Sequence, residues 1–190
     1  MSPYLRAPYK RILDVIICIG ALPVAFPLFL LGILLTGITS KGPLVFSQVR
    51  TGRSGQPFTL YKIRTLKVGT TDRNAGMRKD DPSVEFFGYF LRRWRIDELP
   101  QMWNILKGEM SWVGPRPERP ELIEGRYGTL PQYHRRHEAL PGITGWAQVH
   151  FPDATPDEAE RKLPFDLEYV DNASLAMDLR ILLRTVNVMG

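Results

Sequence analysis

Acidic residues are nearly absent from the first third of this 190-residue chain: residues 1–71 carry nine lysines and arginines against one acid, Asp14, a net +8. Cysteine is scarcer still. Cys18 is the only one, which excludes an internal disulfide and a multi-cysteine metal site and leaves a small apolar filler as the plain reading. Histidine is limited to three residues; His134 and His137 in "HRRH" have no further ligands near them and read as surface charge. No internal repeat or low-complexity tract stands out. What is present is ordinary for a folded chain, 44% hydrophobic and 24% charged, and the length suits one globular domain with a sizeable core.

Residues 72–190 hold sixteen basic and nineteen acidic residues, a net −3, so the basic character belongs to the N-terminal third alone. An anion belongs there: nucleic acid, an acidic lipid surface or a phosphate-bearing substrate. Charge then vanishes altogether from Val15 to Ile38, "VIICIGALPVAFPLFLLGILLTGI", which as a helix covers about 36 Å, enough to cross a bilayer. Pro23 and Pro27 predict a break around residues 23–27. Arg6, Lys10 and Arg11 precede the run and Lys41, Arg50 and Arg53 follow it, so the positive-inside tendency asks for both ends on the cytoplasmic side. A bent, re-entrant helix satisfies that demand where a simple span does not. Asp14, four residues from Lys10 and three from Arg11, is expected to pair with them.

"LVFSQVR" (44–50) and "PFTLYKI" (57–63), separated by "TGRSGQ", predict a β-hairpin. Two-residue alternation would put Lys62 and Arg64 on one face. Residues 68–83 read as a long polar loop and 84–95, "VEFFGYFLRRWR", as a helix ending in Arg92, Arg93 and Arg95. The C-terminal 175–188 is amphipathic, with Leu175, Leu179, Leu182, Leu183 and Val186 on a broad face suited to the domain or to lipid. The fold class expected is α+β: a small, mostly helical cytosolic domain over residues 41–190 with a β-hairpin and amphipathic interface helices, behind a re-entrant membrane-anchoring helix over residues 1–40.

The chemistry is concentrated in "RIDELPQMWNILKGEMSWVGPRPERPE" (95–121). Asp97 and Glu98 precede Leu99, Met102, Trp103 and Leu106 at helical spacing, with Gly108 as terminator, so a helix starting at or just before the acids is predicted. Its dipole would keep both carboxylates ionised and allow a phosphate or metal ion to share the site. A plain N-cap explains the pair equally well. Arg116, clamped in Gly114-Pro115-Arg116-Pro117, favours chemistry, because a rigid backbone presents a guanidinium to phosphate at little entropic cost. A carboxylate nucleophile or magnesium ligand acting on a phosphate at a membrane surface follows.

"KRILDVI" leading into the proline-broken run, "LVFSQVRTG", "YKIRTLK", "DELPQMWNILKGEMSWVGPRP" and "PGITGWAQV" (141–149) resemble the bacterial sugar transferases, the monotopic phosphoglycosyl transferases, over nearly the whole chain. The resemblance implies transfer of a sugar-1-phosphate from a UDP-sugar to polyprenol (undecaprenyl) phosphate with release of UMP, on the cytoplasmic face of the bacterial inner membrane, as an early step of exopolysaccharide or other glycoconjugate assembly. By the same resemblance Asp97 is the nucleophile that forms a covalent aspartyl phosphosugar. Glu98, with Asp97 beside it, holds Mg²⁺. Lys62, Arg64, Arg92 and Arg116 meet phosphates, Asp178 matches an acid on the family's last helix, and Pro27 matches its helix-breaking proline. Membrane lipids are implied as partners and nucleic acid is not; a homodimer is allowed. The chain departs from the family after Val149, where many members carry a glycine-arginine pair and this chain has no arginine before Arg161. Some relatives carry the domain at the end of a longer chain. The competing reading is a non-enzymatic anchor that binds anionic lipid or nucleic acid through the basic N-terminal third; a lipid-phosphate hydrolase is a weaker third.

Overall fold

The computed structural model describes residues 1–70, 81–152 and 158–189. Most of the polar loop expected over 68–83, and part of the stretch after His150, lie outside them.

Helix α1 (Pro8–Thr39) runs through Pro23 and Pro27 without interruption, so the expected break is absent. The two prolines lie four residues apart on the exposed side, and the hydrogen bonds that they delete, to the carbonyls of Ile19 and Pro23, fall on that same side. Packing holds the opposite side. Lys10, Asp14, Cys18, Ala25, Gly32 and Thr36 form one buried stripe along the whole helix. Cys18 and Ala25 meet Leu60, Met102, Ile105 and Met110, while Phe29 and Ile33 meet Ile63, Leu91 and Ile96. Gly32 is what allows the approach, since a Cβ there would stand 2.6 Å from Ile63 Cδ1. The other face is apolar and exposed, with Ile16, Ile19, Val24, Phe26, Leu34 and Ile38 outermost. The helix is long and apolar enough to cross a membrane. Asp14 pairs with Lys10 at 3.4 Å. Arg11, contrary to expectation, turns away from Asp14 and caps the far end of helix α3 (Gln101–Lys107) through the carbonyls of Ile105 and Leu106.

The predicted hairpin forms as antiparallel strands β1 (Val45–Thr51) and β2 (Pro57–Ile63). Its sheet has only two strands, so β2 has a free edge, and Asn104 of α3 occupies it: Nδ2 donates to Thr59 O at 2.7 Å and Oδ1 accepts from Tyr61 N at 3.3 Å. A buried side-chain amide thus replaces the missing third strand. Helix α2 (Gly88–Arg93) is much shorter than the helix expected over 84–95. Residues 83–85 are instead drawn into backbone pairing, Lys67 N to Ser83 O and Glu85 N to Thr65 O, both 2.9 Å.

A second, parallel pair, β3 (Ser111–Val113) with β4 (Gly142–Thr144), joins the Gly114-Pro115-Arg116-Pro117 segment to "PGITG". The glycines make this possible. A Cβ on Gly114 would lie 2.1 Å from Leu140 O, one on Gly142 2.1 Å from Gly114 N, and one on Gly145 2.2 Å from Gly114 O. Helices α4 (Pro120–Gly125), α5 (Trp146–His150), α6 (Ala159–Asn172) and α7 (Leu175–Met189) complete the body; the sequence reading offers no elements for the first three. Tyr4, Val113, Trp146, Tyr169, Val170 and Ile181 form the core where α5, α6 and α7 meet β3. In α7 the inward face is Asp178 and Ile181, with Leu182 half-buried, while Leu175, Leu179, Leu183 and Val186 form an exposed apolar ridge.

Candidate active site

The acids do not open α3. They sit on a separate 3-10 turn, Ile96–Glu98, with Leu99 and Pro100 between it and Gln101. Arg95 makes the turn possible: its left-handed backbone (φ 51°, ψ 23°) redirects the chain leaving α2, a conformation uncommon for a residue with a Cβ. Ile96 is buried against Ile63 and Leu91, and Leu99 packs on the same cluster, so the pair is pinned by apolar anchors on both sides.

The two carboxylates occupy different electrostatic states. Burial raises Asp97, and although Lys62, Arg92 and Arg95 pull it down, the neighbouring Glu98 charge adds to the rise, leaving it at about 7. Glu98 is equally buried, but Lys62, Arg116 and Arg95 outweigh the burial and hold it at about 2. Its Oε1 accepts from Lys62 Nζ at 3.0 Å and its Oε2 from Arg95 Nη1 at 3.3 Å. Both acids were expected to be ionised at neutral pH: Glu98 is, while burial pushes Asp97 up so that both its forms are populated there.

Glu98 lines a shallow cleft walled also by Arg50, Lys62, Gln101, Arg116 and Pro117. Asp97, 6% exposed, is not one of its walls; the charges acting on it include Arg92 and Arg95, on the α2 side of the turn. Lys62 lies between and acts on both acids. The structure thus gathers Asp97, Glu98, Lys62, Arg92 and Arg116. Arg64 is not among them: strand pairing ends at Ile63, alternation ends with it, and the Arg64 guanidinium turns to Ser40 Oγ and to Lys41 O at the end of α1. Asp178 also lies apart, accepting from Tyr4 Oη at 2.7 Å, Lys10 Nζ at 2.7 Å and Tyr169 Oη at 2.8 Å.

Arg116 itself is exposed, but its backbone is held at every step. Pro115 O accepts from Gly142 N (3.0 Å), Arg116 O from Arg136 Nη2 (2.9 Å), Pro117 O from Arg50 Nη1 (3.1 Å) and Glu118 O from Thr51 N (2.9 Å). Arg136 is anchored in turn, Nε to Asp166 Oδ2 at 3.0 Å and Nη1 to Tyr133 Oη at 2.8 Å. Four consecutive clamped carbonyls, Pro115 to Glu118, fix the backbone from which the guanidinium is presented. "HRRH" is therefore structural in its second half: Arg136 and His137 are buried, and burial, followed by Arg136 and His134, lowers His137 to about 4, so it is neutral rather than a surface charge.

Arg50, Arg95, Gln101 and Arg136 were not singled out from the sequence. A signal existed for Arg50, because the register pairs Phe46 with Lys62 and Gln48 with Leu60, so counting by twos along β1 brings Arg50 to the Lys62 face. None existed for Gln101. Among the described residues no group of three His, Cys, Asp or Glu side chains converges. Two adjacent carboxylates suit Mg²⁺ only in company, since that ion is commonly held by one or two carboxylates with phosphate oxygens and waters. Glu98 lines the cleft where such oxygens would enter, but its two oxygens are taken by Lys62 and Arg95 and Asp97 is not a wall of that cleft, so the acids meet those terms only once a phosphate displaces these cations.

The family model described as "Bacterial sugar transferase" matches residues 5–190. The chain is 37% identical over 182 residues to the UDP-N-acetylgalactosamine-undecaprenyl-phosphate N-acetylgalactosaminephosphotransferase of Aeromonas hydrophila, covering 95% of this chain and 43% of that one. It is 37% identical over 181 residues to the UDP-glucose:undecaprenyl-phosphate glucose-1-phosphate transferase of Escherichia coli, covering 93% and 39%. With the exopolysaccharide production protein PSS of Rhizobium leguminosarum bv. phaseoli it shares 39% identity over 185 residues, 93% of this chain and 92% of the relative. It therefore spans about two fifths of the length of the first two relatives and nearly all of the third.

Proposed function

The chain belongs to the bacterial sugar transferase family, and from that premise we propose that it moves a sugar-1-phosphate from a UDP-sugar to undecaprenyl phosphate. The observation that carries the reading is the buried pair Asp97 and Glu98, with Lys62 Nζ 3.0 Å from Glu98 and with Arg50 and Arg116 in the wall of the cleft that Glu98 lines, while burial pushes Asp97 up and the cations hold Glu98 down. In the proposed sequence an oxygen of ionised Asp97 attacks the phosphorus bearing the sugar and the bond to UMP breaks. The aspartyl phosphosugar is then attacked by an oxygen of undecaprenyl phosphate, which frees Asp97 and yields the diphosphate-linked sugar. Lys62, Arg92 and Arg116 neutralise phosphate oxygens. Glu98, with Asp97, would hold Mg²⁺, which supplies charge neutralisation of the diphosphate. Relatives named for glucose and for N-acetylgalactosamine leave the sugar open, whereas the UDP carrier and the undecaprenyl acceptor recur in their names. The test is UMP release from a panel of UDP-sugars with undecaprenyl phosphate and magnesium, alongside capture of labelled phosphosugar on the protein. Release that persists undiminished in Asp97→Asn would refute the mechanism.

The same proposal places the body on the cytoplasmic face of the inner membrane with α1 re-entering the bilayer. Polar contacts to one body at both ends of α1 support it: Lys10 to Asp178 at the start, Thr36 Oγ1 to Arg64 O at the end. Cysteine labels placed before residue 10 and after residue 41, in a Cys18-free background, should both report the cytoplasmic side. Opposite sides would mean a true span.

A further inference from the structure

Buried polar groups are almost always hydrogen-bonded, so an orphan needs a reason. Gln101 is 3% exposed and its Nε2 has no partner. It stands in the wall of the cleft beside Glu98, Lys62 and Arg116. Other orphaned side-chain atoms lie elsewhere, such as Asp14 Oδ2, or belong to side chains already engaged, such as Arg50, which holds Gln48 and Pro117. Leaving an amide N–H₂ unpaired in the interior is destabilising, and an apolar side chain of the same shape avoids that loss.

We propose that Gln101 is a substrate-contacting residue whose amide donates to a phosphoryl oxygen of the bound diphosphate, an assignment that rests on the transferase reading above. The surroundings select that acceptor. Arg50, Lys62 and Arg116 make the cleft a place for anionic oxygens, and a neutral donor adds a directed bond there without adding repulsion among the cations. The amide is held in advance: Met102 and Ile105, one and four residues on, are buried in the core. The bond that the protein lacks alone is completed by substrate, so its benefit appears in binding and turnover rather than in folding.

That inverts the usual signature of a core substitution and makes the test sharp. Gln101→Met keeps length and removes the donor. The expected result is an unchanged or raised melting temperature in detergent, together with a fall of about 10- to 100-fold in kcat/KM for UMP release, the loss typical of a hydrogen bond to a charged partner. Gln101→Glu, which sets a carboxylate against phosphate, should fall further, and the loss should be the same for every UDP-sugar that the wild type accepts. A kcat/KM within about twofold of wild type, a lowered melting temperature in Gln101→Met, or a loss confined to one sugar would each overturn the proposal. Thermal shift by UDP separates the two readings. If wild type releases no UMP from any donor, the transferase reading fails, while a UDP-induced shift present in wild type and lost in Gln101→Met still supports the amide contact, and an equal shift in both refutes it.

Discussion

Among the described residues two buried acid pairs each have a lysine beside them, Lys10 in contact with both acids of its pair and Lys62 in contact with Glu98 alone. Asp14 and Asp178 share Lys10, and the site is nearly closed: Asp178 takes two tyrosine hydroxyls, and Asp14 Oδ1 also accepts from Ser111 Oγ at 3.0 Å and Trp112 N at 3.2 Å. It ties the start of α1 to β3 and α7. The charge of Lys62 acts on both Asp97 and Glu98, but around them one carboxylate is held near neutrality and an amide goes unpaired at an open cleft. Asp178 has both oxygens bonded and Asp14 has one, and neither lines an open cleft, so that pair is a fastener; the pair beside the cleft has cations and an unpaired amide facing a place a ligand can enter.

Exchanging a charge for an amide at the pair beside the cleft should give the largest effect. Asp97→Asn is expected to lose at least about 10³-fold in UMP release and to abolish phosphosugar capture. The same variant should gain stability, by roughly 1–4 kcal/mol, because its native carboxyl titrates above the unfolded value. The sign is fixed: the wild type loses stability as pH rises from about 4 through about 7, the variant does not, and their melting temperatures should diverge over that interval and then run parallel.

The Lys10 pair should behave in the opposite way. Asp178→Ala leaves Lys10 with Asp14 alone, strands the Tyr4 and Tyr169 hydroxyls, and should cost about 3–5 kcal/mol, a melting drop of about 10 °C, with the specific activity of the folded fraction within about twofold of wild type. A large loss of turnover without loss of stability would restore the substrate role that family resemblance suggested. Arg136→Lys keeps the charge but cannot serve Asp166, Tyr133 and the Arg116 carbonyl together. About a tenfold loss of kcat/KM is expected, with little further loss when it is added to Arg116→Ala, since it acts through that loop. The pH response needs no substitution: kcat/KM should rise by up to about tenfold per unit below pH 7 and level off above it, as Asp97 ionises. A profile flat from pH 5 to 8 would show that another group sets the rate.

The hairpin was legible because its two apolar runs alternate and its turn is glycine-rich, and α7 because its pattern is periodic. Which of its two partners that face meets was not legible: the ridge of Leu175, Leu179 and Leu183, suited to the domain or to lipid, does not pack on the domain and is exposed. The pattern cannot choose between them when the inward side buries an ion pair. The break at Pro23 and Pro27 was wrong for a related reason, since a stripe of contacts on the opposite face holds the helix through them.

The sequence by itself determined the anionic partner, the membrane-compatible helix and the residues most suited to phosphate chemistry, because net charge, length and residue type survive without a fold. Tertiary structure alone decided which carboxylate is charged, which arginine reaches the cleft and which amide is left unpaired. Burial and distance set those properties, and both arise only when α1, the hairpin and the acid turn close upon one another.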